Sequence, residues 1–190
     1  MQKQKKEIRD KILDVAMKRF YAAGYKNTLT RQIASDVGMS VSNLYKYFRN
    51  KEDVFETLVS GYYSHYLGTF NKFISHENDD HFDTDAAQTL AQAIFESIKG
   101  HQIEFVVLVA KSKGTKYASF RQEITSGLEK HIKRGIQESR RDEYMIRIFV
   151  ENLFNGIIEI AKDYRSDEWA FNNLLLLAQY HIKGISILYE

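Results

Sequence analysis

Apolar residues recur at helical spacing from the first turns of the chain. Ile8, Ile12, Ala16 and Phe20 fall four apart, with Leu13 and Val15 widening the stripe, which predicts an amphipathic helix. Gly24 is placed to end it, because glycine takes left-handed backbone at little cost. A short second helix is expected over Thr30–Val37, with Ile33, Ala34 and Val37 inside, and Gly38 breaks the pattern. Ser40 or Ser42 can cap a third helix through Phe48, whose buried side is Leu44 and Phe48. Asn50 then heads a fourth, with Glu52 and Asp53 in its first turn, where acids suit the helix dipole. Val54, Phe55, Leu58 and Val59 are its buried face, and it runs into the low seventies through Tyr62, Tyr63, Tyr66, Phe70 and Phe73. The polar stretch Ser75–Asp85 reads as a loop. Helical segments follow at Ala86–Lys99, Ile103–Ser112, Tyr117–Glu138, Asp142–Tyr164 and Asp167–Leu188. No run of two-residue alternation appears, so the expected fold class is all-α.

Composition sharpens this picture in three places. The 190 residues contain no proline, which suits long uninterrupted helices, and no cysteine, which excludes a disulfide scaffold and thiolate chemistry. Apolar runs such as Phe105–Ala110 and Leu174–Ala178 are far too short to span a membrane, and the polar N-terminus has no signal core. A cytoplasmic protein with no membrane partner is therefore expected. The net charge of +2 hides an asymmetry: residues 1–53 hold twelve Lys/Arg against six acids (+6), and the remainder sums to −4. A basic head suggests a polyanionic partner.

The stretch TRQIASDVGMSVSNLYKY, Thr30–Tyr47, gives that head a purpose. A helix-turn-helix needs a small residue where its helices cross, a glycine in the turn and apolar pins beneath the second helix. Ala34, Gly38 and the trio Ile33, Val37 and Leu44 meet those needs, and the second helix exposes Val41, Ser42, Tyr45 and Lys46. Gly24-Tyr25, Thr28, Arg31-x-Ile33-Ala34, Val37-Gly38-x-Ser40, Leu44-Tyr45-x-Tyr47-Phe48 and Asn50-Lys51-Glu52 together resemble the N-terminal signature of the TetR/AcrR family of transcriptional regulators, over roughly residues 8–58.

The resemblance implies an N-terminal three-helix helix-turn-helix DNA-binding domain (1–53) and a C-terminal helical effector-binding and dimerisation domain (54–190). It assigns base contacts to Val41, Ser42, Tyr45 and Arg31, and phosphate contacts to Thr30, Asn43, Tyr47 and Lys51. Three positions depart from the family pattern: Leu29 replaces a frequent Ser or Thr, Gln32 stands where an acid often closes a capping box, and Ser42-Asn43 replaces a common Gly-Thr pair. Thr28 or Thr30 is then left to cap the second helix. The basic tail of Lys3, Lys5, Lys6 and Arg9 is either a minor-groove arm or, more simply, a solvated terminus.

The expected function is a ligand-responsive transcriptional regulator, a repressor that binds double-stranded operator DNA and is released by a small-molecule effector. A single helix-turn-helix reads few base pairs, so a homodimer is expected, built on the last two helices. Tyr62, Tyr66, Phe70, Phe95, Phe105, Tyr117, Phe120 and Phe149 are the candidate pocket residues, with His65, His101 or Glu104 to orient a ligand. His76, Glu77, Asp79, Asp80 and His81 read as a solvated loop rather than a metal site, and Lys111–Lys116 as a basic turn rather than a phosphate loop. No cofactor, metal or catalytic set is expected. The alternatives are a regulator of the same family without ligand response, and a helical small-molecule enzyme or carrier.

Overall fold

A computed structural model describes residues 2–75, 86–136 and 142–187. Its elements are α1 (Gln2–Ala23), α2 (Thr30–Val37), α3 (Val41–Leu44), α4 (Lys51–Ser75), α5 (Ala86–Ile98), α6 (Gln102–Val106), α7 (Phe120–Gly135), α8 (Glu143–Lys162) and α9 (Asp167–Ser186). A π-helical turn, Val107–Lys111, continues α6. The described residues include no strand, as the periodicity predicts. The expected loop at Ser75–Asp85, with its acid and histidine cluster, lies outside the described residues beyond Ser75. So do Gln137 and Glu138 of the segment expected to follow Tyr117, and Leu188.

The chain divides into two compact units, Met1–Ser64 with Ile103–Ser119, and His65–Gln102 with Phe120–Glu190. The first, the head, is built on the stripes read from the sequence. Ile12, Ala16 and Phe20 of α1, Ile33, Ala34 and Val37 of α2, Leu44, Phe48, and Val54, Phe55 and Val59 of α4 are all buried. Phe105 to Val109 are also buried, and belong to this same unit. Phe55 lies edge-on to Phe20 and Tyr25, at 5.2 Å from each, and Tyr117 packs edge-on to Tyr63 at 4.9 Å. Gly24 ends α1 at φ 79°, and a side chain there would bring a Cβ to 3.5 Å from the Lys111 carbonyl. That carbonyl accepts the Tyr25 N–H at 2.9 Å, so the π turn and the end of α1 meet through backbone.

The second unit, the body, packs α5 on α9, α8 on α9 and α7 on α8. Its core draws on Leu90, Ala91, Phe95 and Ile98 of α5, Phe120 and Ile124 of α7, Val150, Leu153, Phe154 and Ile157 of α8, and Leu174 and Ala178 of α9. Asp142 caps α8 by accepting from the Tyr144 and Met145 N–H groups at 3.0 Å, and Ser166 caps α9 by accepting from Trp169 N–H at 3.1 Å. At Gly156 a Cβ would stand 2.7 Å from Leu177 Cδ2, so the missing side chain lets α8 and α9 approach closely.

Two boundaries differ from the periodic reading. The third helix stops at Leu44 instead of Phe48, because Lys46 N–H bonds Asn43 and Tyr47 N–H bonds Leu44, a three-residue spacing that tightens the chain into a turn. α7 begins at Phe120, because the Tyr117 N–H is taken by Thr115 Oγ1 and its carbonyl by Ser112 Oγ, at 3.1 Å each.

Candidate nucleic-acid interface and ligand cavity

The head presents α2 and α3 as the pair that the spacing predicts. Ser40 caps α3 by accepting from Asn43 N–H at 3.2 Å, which decides between the two candidate serines. The residue before α2 is Leu29, whose side chain offers no cap. Instead Gln32 Oε1 accepts the Leu29 N–H at 2.8 Å, closing half of a capping box. Thr28 does not cap α2: it is fully buried and donates its hydroxyl hydrogen towards Gly24 O (2.8 Å) and Arg19 O (3.2 Å). Lys11 Nζ donates to the last carbonyl of α2, Val37 O, at 3.0 Å, and Arg19 makes a two-pronged pair with Asp36, at 2.5 and 2.7 Å. That pair holds the Asp36 carboxyl below its ordinary pKa. α1 therefore grips α2 through side-chain bonds as well as apolar packing.

These internal partners sort the cations of the head. Arg19 is taken by Asp36, and Arg49 by Asp53 at 3.2 Å. Arg9 lies 4.9 Å from the Phe48 ring centre, and Lys116 pairs with Glu56. The side chains of Arg31 and Lys46 are exposed and have no ion pair or hydrogen bond among the described residues, so both can meet an external anion. Ser42 and Asn43 are exposed on α3, Tyr45 is 47% exposed at its end, and Val41, Tyr47 and Thr30 are half-buried beside them.

Lys51 is placed differently. Its ammonium donates to Tyr25 O and Thr28 O, both at 2.8 Å, and lies 4.0 Å from the Tyr25 ring centre. Burial holds its pKa below the usual lysine value. Lys3, Lys5 and Lys6 are exposed on α1, which is helical from Gln2.

The body contains a small apolar cavity of about 50 Å³, partly open to solvent. Its walls are Tyr66, Thr69, Phe70 and Phe73 of α4, Leu90, Ala93, Ile94 and Ser97 of α5, Ile124 and Leu128 of α7, and Leu153, Phe154 and Ile157 of α8. The Tyr66 hydroxyl hydrogen-bonds with Ser97, and Ser97 donates to Ile94 O at 2.6 Å. Burial pushes the Tyr66 pKa well up, so the phenol stays neutral, and no other lining residue is titratable.

Of the eight aromatic residues expected to line a pocket, Tyr66 and Phe70 do. Tyr62, Phe105 and Tyr117 are buried within the head instead. Phe120 stands edge-on to Tyr66 at 5.3 Å, Phe95 packs edge-on to Phe171 at 5.6 Å, and Phe149 packs towards Gly184. His65, His101 and Glu104 are absent from the lining. Most of the wall is aliphatic, and in sequence those residues are indistinguishable from ordinary core.

Leu176 and Tyr180 of α9 and Ile187 just after it form an exposed stripe, each at least 63% accessible, and Tyr144 is similarly exposed on α8. Among the described residues no helix is long and apolar enough to cross a membrane, and no group of three His, Asp or Glu side chains could hold a metal ion.

Known proteins resemble this chain in the same places. The family described as "Bacterial regulatory proteins, tetR family" matches residues 12–58. The HTH-type transcriptional regulator HbdR of Aromatoleum sp. (strain CIB) is 26% identical over 190 residues, covering 97% of this chain and 80% of HbdR. IcaR of Staphylococcus aureus (strain Newman), an HTH-type negative transcriptional regulator of the biofilm operon icaADBC, is 24% identical, over 89% of this chain and 99% of IcaR. Among solved structures, the TetR family transcriptional regulator PfmR from Thermus thermophilus superposes with a TM-score of 0.57 at 18% identity, covering 88% of this chain and 97% of that one.

Proposed function

We propose, for a chain that belongs to the TetR family of bacterial regulatory proteins, a repressor that binds operator DNA as a homodimer and releases it when a small molecule occupies the body. The observation that carries the DNA reading is the pairing of cations in the head. Arg31 and Lys46 are left without internal partners on the two helices that a major groove would meet, beside exposed Ser42, Asn43 and Tyr45. Arg31 has the donors for a guanine edge, Val41 can touch a thymine methyl, and Thr30, Asn43 and Tyr47 suit phosphate. In this reading residues 1–53 carry the DNA-reading elements, and 54–190 supply the remainder of the head together with the regulatory body. IcaR, a negative regulator matched along most of both chains, favours repression over activation.

The exposed apolar stripe on α9 and Tyr144 on α8 support a two-fold dimer through these helices, which would set two recognition helices about 34–36 Å apart. The cavity is the effector site in this reading, and its chemistry selects the ligand. A carboxylate or ammonium would lose its hydration without gaining an opposite charge, so the effector is a neutral, largely apolar molecule. Its binding shifts the population towards dimers whose recognition helices no longer fit successive grooves. Such a protein acts where the genome is, in the cytoplasm.

The test is a fluorescence-anisotropy titration against duplexes tiling the DNA beside its own gene, repeated with matched neutral and charged probes such as 2-naphthol and 2-naphthoate. Tight, salt-sensitive binding to one fragment, weakened by the neutral probe alone, is expected. Failure to bind any fragment at low salt would refute the DNA reading. Equal action by both probes would refute the neutral-effector assignment. A thermal-shift experiment with the same probes isolates ligand binding from DNA release, and Ala93→Phe, which fills the cavity, should abolish the shift.

A further inference from the structure

The helix-turn-helix occupies residues 30–44, followed by the turn that leads to α4. Its two chain ends, Thr28 before α2 and Lys51 at the start of α4, meet: the Lys51 ammonium donates to Thr28 O at 2.8 Å. The same ammonium donates to Tyr25 O at 2.8 Å, and the Tyr25 N–H is held by Lys111 O of the π turn at 2.9 Å. Thr28 is fully buried, and its hydroxyl returns to α1 through Gly24 O and Arg19 O. One cation thus joins the end of α1, the entry to α2 and the start of α4.

We propose that Lys51 is a positioning residue for DNA recognition, a clasp that closes the two ends of the helix-turn-helix and sets the angle at which α2 and α3 meet the groove. The proposal rests on the DNA-binding reading above, but assigns Lys51 a task other than a phosphate contact. Two of the three N–H groups of the ammonium are committed to carbonyls, one of them on a fully buried residue, and a side chain that swung out to follow a phosphate would leave both without this donor. It would also leave the Tyr25 ring, 4.0 Å from Nζ. Its depressed pKa agrees with a group held inside the head and partly removed from water. Lys46, exposed and unpaired among the described residues, is the contrasting case.

Two measurements test the clasp. The first uses the unaltered protein: amine-reactive footprinting read by mass spectrometry, on the free chain and on its complex with a duplex selected from a randomised pool. Lys51 should be unreactive in both states, while Lys46 is reactive when free and protected on DNA. A Lys51 that is reactive in the free chain overturns the clasp.

The second compares Lys51→Met with the parent on the selected duplex and on a scrambled one, well below the melting temperature. Specific affinity should fall about tenfold or more, scrambled-duplex affinity should change less than about twofold, and the salt slope should be unchanged. A slope flattened by about one unit on both duplexes would mean a phosphate contact and would overturn the proposal. A lower melting temperature with the specific-to-scrambled ratio intact would make Lys51 merely structural, and would overturn it too. If Lys51→Met does not fold, Lys51→Arg replaces it: a phosphate contact would survive that change, whereas the clasp should lose specificity because a planar guanidinium cannot take the ammonium's place. If the parent selects no duplex, the DNA reading fails, and footprinting of the free chain still decides whether the clasp exists.

Discussion

In the head, buried polar groups tie together segments far apart in sequence. Lys51 bonds Tyr25 and Thr28, Thr28 bonds Arg19, and Lys11 reaches Val37. In the body, the buried hydroxyls of Ser97 and Thr125 bond back onto their own helices at Ile94 and Gln122, Tyr66 finds Ser97, His181 is buried as well, and a tie between helices such as Arg121 to Glu151 is partly exposed. The difference matches the two tasks proposed for these units. Directional bonds fix angles between elements, which a surface that must fit a groove requires. Apolar packing is non-directional and tolerates repacking, which suits a wall that must close around a guest.

The most damaging change should be in the head. Phe55 is fully buried against Phe20, Tyr25 and Tyr117, so Phe55→Ala should cost about 3–5 kcal/mol in guanidinium denaturation. A cost below about 1 kcal/mol would show that the polar ties alone hold the head together.

The body's weak point is pH. His181 is buried in α9 with its pKa pushed down to about 4 by loss of water. Folded, it takes no proton until that pH, while the unfolded chain takes one near 6.5. Stability from this group is therefore full above about pH 6.5 and falls as the pH drops towards 4, by up to about 3 kcal/mol. His181→Leu should remove that part of the acid sensitivity, and denaturation midpoints of both proteins at pH 7 and pH 4.5 would reveal it. Parallel losses in the two proteins would assign the acid sensitivity elsewhere.

Smaller effects belong to the free cations of the head. Arg31→Ala should cost about 1–3 kcal/mol of specific binding and relax base preference at one position, seen by selection from a randomised duplex. An unchanged preference would remove Arg31 from base reading. Lys46→Ala should leave the fold intact, weaken all duplexes alike and flatten the log–log salt slope by about one unit. Its lack of internal partners predicts this, and Lys51 should behave in the opposite way.

Much of this was legible in the residues themselves. Ile33, Ala34, Val37 and Leu44 placed the helix-turn-helix because local periodicity and one glycine suffice to define it. The basic head was visible as a charge imbalance. The cavity was legible only in part, through Tyr66 and Phe70, because a helical stripe says which face is buried and never against what. Phe105 and Tyr117 look as eligible as Phe70, yet they lie in the other unit, since residues 103–119 fold with the head rather than with their sequence neighbours. Lys51 carried the same kind of ambiguity: a lysine at a helix start suits a phosphate, and only the structure shows its ammonium 2.8 Å from the carbonyls of Tyr25 and Thr28.

The sequence by itself thus determined the helices, the cap of α4 at Asn50, the helix-turn-helix and the segregation of charge. These depend on residues within a few positions of one another. The tertiary structure alone decided which cations of the head are paired internally, which apolar faces enclose a cavity, and which distant segment completes the head. Those outcomes depend on pairings between residues tens of positions apart, and a pattern read along one chain carries no record of them.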